Sequence, residues 1–181
     1  MNEKMRNWKI GWLIAGVLFL SGCASVQIVG KPTSLKSLPL IVVIGEITPA
    51  NEKVKVPPEK IKEGQEILFK TFKEELPEFT VLKSIQDLPQ GIEDYLQLGT
   101  KIILYHESQP QMIVTVIFAT RAMSITETEM VVTRQKDKEI IFKFHATGAC
   151  GIIYGKSAAY SLNLRTMAVK LAATIKRYAG K

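Results

Sequence analysis

Histidine and cysteine are scarce in this chain, two of each in 181 residues. His106 and His145 stand far apart, and neither has Asp or Glu at a ligand spacing, so no metal centre is expected. A membrane-spanning run is also missing. The apolar stretch Ile10–Leu20 has 11 residues. As a helix it would measure about 16 Å, against a hydrocarbon core of about 30 Å. Acid is missing from one end: from Gly148 onward there is no Asp or Glu, while Lys156, Arg165, Lys170, Lys176, Arg177 and Lys181 are all present. Internal repeats and low-complexity tracts are absent.

What is present begins at the N-terminus, "MNEKMRNWKIGWLIAGVLFLSGC". Lys4, Arg6 and Lys9 against Glu3 make a basic start, followed by the short apolar centre and a small-residue exit. That order describes an export signal, not a span. The exit, Leu20-Ser21-Gly22-Cys23, resembles the lipobox of bacterial lipoproteins at all four positions. The resemblance implies cleavage between Gly22 and Cys23, a diacylglycerol on the Cys23 sulfur and acylation of the new N-terminus. Two or more chains hold a protein stably to a bilayer, where one does so only marginally. In Gram-negative lipoproteins an aspartate after the cysteine retains the protein at the inner membrane. Ala24 in its place implies the periplasmic face of the outer membrane, or the outer face of the plasma membrane in a Gram-positive cell.

Removing residues 1–22 leaves 159, enough for one domain with a real core. It also leaves 21 basic against 16 acidic residues, a net charge of +5. Residues 23–37 are small, polar and turn-rich and read as a flexible tether, with a single domain over 38–181. Arg165, Lys170, Lys176 and Arg177 form the candidate contact surface, suited to anionic lipid, lipopolysaccharide phosphate or an acidic partner. Lipidation consumes Cys23, leaving Cys150 without a disulfide partner in the chain.

The apolar run 38–47 predicts a buried strand, and 58–77 an amphipathic helix with Ile61, Leu68, Phe72 and Leu76 inward and Ile67 and Phe69 flanking. Pro57 or Pro58 suits its first turn, and Pro77 ends it. Strands are expected at 79–85 and 95–107, with a bulge at Gly99 and a turn at 108–111, then at 112–119. A break near Arg121 precedes two more, from about Ser124 to Arg134 and from Glu139 to Thr147, joined by the polar loop 135–138. In the last strand Ile140, Phe142, Phe144 and Ala146 should share one face, with Ile141, Lys143, His145 and Thr147 on the other. Residues 157–178 predict a helix burying Tyr160, Leu164, Met167, Ala168, Leu171, Ile175 and Tyr178. The expected fold is α+β: a mostly antiparallel sheet of about five or six strands with two helices packed on one face.

With that order in place, "EDYLQLGTKI", a hairpin arm ending "FKFHATGACG" and the closing "MAVKLAATIKR" make the chain similar to α/β domains of envelope secretion and assembly lipoproteins such as the curli-secretion lipoprotein. The resemblance implies a non-catalytic component of an envelope system. The sequence shows no pair of membrane-inserting hairpins, so pore formation is not carried over.

Three patterns could carry chemistry. "CGIIYGKSAAY", residues 150–160, ends like a phosphate-binding loop, but the position needing the first glycine is Cys150, with Gly151 one place off. No aspartate-ended strand completes a nucleotide site, and an exported domain meets almost no ATP. Ser157 is instead read as a helix N-cap, with Gly155 permitting the turn. Cys150 and His145 could be a thiol nucleophile and its base. Five residues apart in a strand, they should face opposite sides, and Cys150 reads as a small buried apolar residue. Glu127 and Glu129 share one strand face, as hydrolase acids can, or as the wet side of a sheet does. Neither nucleotide nor nucleic acid is an expected partner, for the compartment is wrong and no aromatic-interleaved basic patch occurs. No cofactor is expected.

The sequence therefore points to a lipid-anchored, non-catalytic accessory protein of an envelope assembly, secretion or transport system, meeting the membrane through its lipid and other envelope proteins through its surface. The alternatives are an envelope enzyme using Cys150 and His145, and a passive surface lipoprotein.

Overall fold

The computed structural model describes residues 23–28, 38–106, 123–151 and 158–179. The strands are β1 (Cys23–Ile28), β2 (Ile41–Pro49), β3 (Thr80–Leu82), β4 (Leu96–His106), β5 (Met123–Arg134) and β6 (Glu139–Gly151). The helices are α1 (Pro58–Glu75) and α2 (Ala158–Ala179), with a short 3₁₀ turn over Ile85–Asp87. One sheet runs in the order β1-β6-β5-β4-β2-β3. β1–β6, β6–β5 and β5–β4 pair antiparallel, and β2 pairs parallel with β3 and β4. This is the expected α+β class, a mostly antiparallel sheet with both helices against one face.

Local chemistry accounts for these elements. In β2, Val42, Val43 and Ile44 are all buried, as expected of a strand flanked by parallel neighbours and covered on both faces. Helix α1 opens on Pro58 at its first position, with Glu59 in the first turn where the helix dipole favours an anion. Gly64, Leu68, Thr71 and Phe72 form its buried stripe at helical spacing. The Leu76 N–H donates to the Phe72 carbonyl at 2.8 Å, and Pro77 bars continuation. Ser84 caps the 3₁₀ turn, its hydroxyl accepting from the Gln86 N–H while its own N–H donates to Asp87. In β4 to β6 the inward residues alternate as pleating requires. The cross-strand sets Leu98–Val132–Phe142, Thr100–Met130–Phe144 and Ile102–Thr128–Ala146 lie under the helices.

Several expectations change. Cys23–Ile28, assigned to the flexible tether, is a six-residue strand paired along its whole length with β6. β3 stops at Leu82, short of the expected 85. Gly99 pairs with Val131 without interruption, and the register shift in that ladder falls between Ile102 and Leu104. A second shift, between Val132 and Thr133, makes Ile141 the extra residue of β6 and reverses the parity before it. Ile140 is therefore 62% exposed instead of facing the core with Phe142, and Ile141 is buried. Tyr178, expected in the core, is 38% exposed at the end of α2, its ring 5.4 Å from that of Phe142. The strand expected at 112–119, its turn at 108–111 and the Ser157 cap lie outside the described residues.

Candidate functional site

Cys23 opens β1, and its backbone pairs with Ala149. Ala149 pairs with Ile125, and Ile125 with His106, so one register row crosses four strands from Cys23 to His106. Three strand spacings make that row about 14 Å long. Position 23 is thus part of the folded sheet's rim. Gly22 lies outside the described residues.

The sheet face opposite the helices carries ions. His145 Nε2 lies 2.6 Å from Glu127 Oε1, and Lys143 Nζ lies 2.8 Å from Glu129 Oε2. All four side chains are partly exposed, and polar cross-strand pairs suit the solvent face of a sheet. Both glutamates are thus engaged across the ladder, Glu129 with Lys143 and Glu127 with His145, on the wet side of the sheet. His145 has Glu127 as its partner. Cys150 lies five residues farther along the same unbroken strand, opposite Ser124, about 16 Å away. The structure does not bring the two together as a dyad. Residues 152–157 of the phosphate-loop-like stretch lie outside the described residues. Its ends are the last residue of β6 and the start of α2. Among the described residues, no group of three or more His, Cys, Asp or Glu could hold a metal ion. Among them too, no helix is long and apolar enough to cross a membrane.

The four predicted contact residues share the outer face of α2. Arg165, Lys170 and Arg177 are exposed and Lys176 is partly so. At 100° per residue, Arg165 and Lys176 fall on one flank of the exposed arc and Lys170 and Arg177 on the other. Leu162, Thr166, Val169 and Ala173 run between the flanks, with Leu162 37% exposed. No ion pair among the described residues involves any of the four cations. Helix α1 differs. Lys60 pairs with Glu63 at 2.7 Å, and Glu66 pairs with Lys83.

Beneath that face lies a polar cluster that the apolar periodicity conceals. Asn163, fully buried, donates from Nδ2 to the Thr126 carbonyl at 2.9 Å, to Thr128 Oγ1 at 3.3 Å and to the Ala146 carbonyl at 3.5 Å. Thr128 Oγ1 in turn donates to Met167 Sδ at 2.8 Å. Asn163 anchors α2 over β5 and β6, and Gly148 permits the approach: a Cβ there would lie 2.7 Å from Asn163 Cβ. The available signal was an asparagine amid an otherwise apolar stripe.

Tyr160 marks the crossing of the two helices. Its ring meets Tyr105 edge to face at 5.7 Å, and its hydroxyl is buried against Gly64. Burial raises the Tyr160 pKa, and the nearby Glu63 carboxylate adds to the effect. Glu63 itself is held below the usual carboxylate range, chiefly by Lys60. It also accepts a hydrogen bond from Ser161 at 2.9 Å.

No protein-family model matches the chain, and no curated protein matches it in sequence. Solved structures do match in fold. A single-substitution variant of the PelC dodecamer from Paraburkholderia phytofirmans superposes with a TM-score of 0.58 at 10% identity, covering 83% of this chain and 98% of that one. The PelC dodecamer in a second crystal form gives 0.53 at 10% identity, over 87% and 97%. Lipoprotein GNA1162 from Neisseria meningitidis matches more loosely, at 0.44 and 10% identity over 79% and 100%. The two PelC matches show that this chain shares their fold.

Proposed function

We propose that the protein is a lipid-anchored accessory component of an envelope assembly, secretion or transport system, acting by contact and not by catalysis. The observation that carries this reading is the Leu20-Ser21-Gly22-Cys23 sequence at the end of a short export signal. The position of Cys23 as the first residue of β1 supports it. A diacylglycerol there leaves the folded sheet directly, so the domain rests against the bilayer instead of hanging from it. Ala24 in place of aspartate favours the periplasmic face of an outer membrane. The PelC fold occurs in a dodecamer, which supports an assembly role for a chain of the same fold. The separation of Cys150 from His145, and the engagement of His145 with Glu127, support a non-catalytic reading.

Intact mass of the protein extracted from membranes tests the anchor. The chain should start at Cys23 and carry acyl mass. A start elsewhere, or no added mass, removes it. A Cys150→Ala variant tests the absence of catalysis. Unchanged envelope behaviour is expected, and its loss at normal protein level would favour a thiol enzyme. Crosslinking in membranes should recover defined envelope proteins; recovery of none would favour a passive surface lipoprotein.

A further inference from the structure

We propose that the outer face of α2 is a second membrane contact, one that recognises anionic phospholipid headgroups. The inference deepens the anchored reading and rests in part on it. Three observations converge.

The first is the pattern of the face. Leu162, Val169 and Ala173 form a narrow apolar stripe, with Arg165 and Lys176 along one side and Lys170 and Arg177 along the other. A helix lying in a bilayer interface has this arrangement: apolar side chains enter between headgroups while flanking Lys and Arg stems reach up to the phosphates. The cations span thirteen residues, about 18 Å of helix.

The second is electrostatic. Four cations elsewhere on the described surface are engaged in salt bridges: Lys60 with Glu63, Lys83 with Glu66, Arg134 with Asp94, Lys143 with Glu129. The four on α2 have no such partner among the described residues, and α2 contains no acidic residue. Each cation near an anionic surface adds an attraction that salt weakens.

The third is position. The Ala159 carbonyl lies beside Gly148, and Tyr178 lies beside Phe142, so α2 runs antiparallel to β6 and in the direction of β1. It touches β1, and its first turn stands at the end of the sheet where Cys23 pairs with Ala149. The anchor therefore stands at the first turn of α2, with the cations about 10–28 Å farther along the helix. The lipid anchor holds the chain to the bilayer, and the basic face sets how the domain lies on it.

The test uses residues 23–181 with Cys23→Ser, which keep every described element but carry no lipid and no signal. Co-sedimentation compares phosphatidylcholine vesicles with vesicles containing one-third phosphatidylglycerol. Binding should require the anionic lipid and fall as salt is raised. Reversing Arg165, Lys170, Lys176 and Arg177 to Glu should weaken it on the order of a hundredfold. Reversing four exposed lysines elsewhere, Lys55, Lys62, Lys70 and Lys73, should weaken it far less. Leu162→Gln with Val169→Gln should cost several-fold at constant charge. Circular dichroism and a thermal melt confirm that each variant is folded. Binding that ignores phosphatidylglycerol, or that falls equally with either reversed set, overturns the proposal. So does a face that ignores vesicles but binds poly-glutamate, which would make it a docking site for an acidic protein. Intact mass tests the anchor separately, so either reading can fail without the other.

Discussion

Gly64 shows how one residue's role depends on what lies across from it. Within a helix, alanine is favoured over glycine by about 1 kcal/mol. Here a Cβ would lie 2.2 Å from the Tyr160 hydroxyl oxygen, 2.8 Å from Ile47 Cδ1 and 2.9 Å from Leu164 Cδ1. Gly64→Ala should therefore destabilise the fold by about 1–3 kcal/mol despite its better propensity, lowering the thermal midpoint. Tyr160→Phe removes a buried hydroxyl that has no partner among the described residues and should be neutral or stabilising. In a double-mutant cycle the cost of Gly64→Ala should shrink when Phe occupies 160, because the tightest contact is gone. Additive costs would show that the hydroxyl does not set the spacing. Asn163→Ala should cost about 1–3 kcal/mol, because the Thr126 carbonyl loses its side-chain donor in a dry interior.

At the scale of elements, the approach to β4 and the end of β5 are joined by a fork. Arg134 Nε and Nη2 donate to the two oxygens of Asp94 at 2.8 and 2.6 Å, and the Gln135 N–H donates to the Tyr95 carbonyl. Arg134 holds the Asp94 carboxyl below its ordinary value. A carboxyl whose pKa is lower in the folded state stabilises the fold above its unfolded value, about 3.9 for aspartate. That stability is lost as pH falls through the lower folded value. With Asp94 35% exposed, solvent screening limits the contribution to about 0.5–1 kcal/mol. Asp94→Asn should show that cost in urea melts at pH 7 and show little cost at pH 2. An equal cost at both would mean that the fork acts through shape and not charge.

At the scale of the molecule, β1 covers the edge of β6 from Phe144 to Ala149. An uncovered edge offers unpaired N–H and C=O groups to another chain. A protein beginning at residue 29 should melt lower and self-associate, visible as light scattering at concentrations where residues 23–181 with Cys23→Ser remain monodisperse. Equal behaviour of the two would show that β1 is dispensable to the fold. Because the same strand begins at Cys23, the proposed lipid attachment point and the edge cover are one element.

Much of this was legible in the chain. The apolar period of α2 named Leu164, Met167, Ala168, Leu171 and Ile175, all fully buried, because a helix on a sheet must hide one continuous stripe. The alternation of β6 marked its inward face except where a bulge intervened. The basic bias of α2 was legible too, since a charge imbalance is a local pattern. Other features depended on partners distant in sequence. The shift that exposes Ile140 is a property of the β5–β6 register, and Gly64 matters because Tyr160, nearly a hundred residues later, sits against it. Cys23–Ile28 has no strong strand pattern of its own. It becomes a strand through pairing with the free edge of β6, an edge that exists only once the sheet has formed.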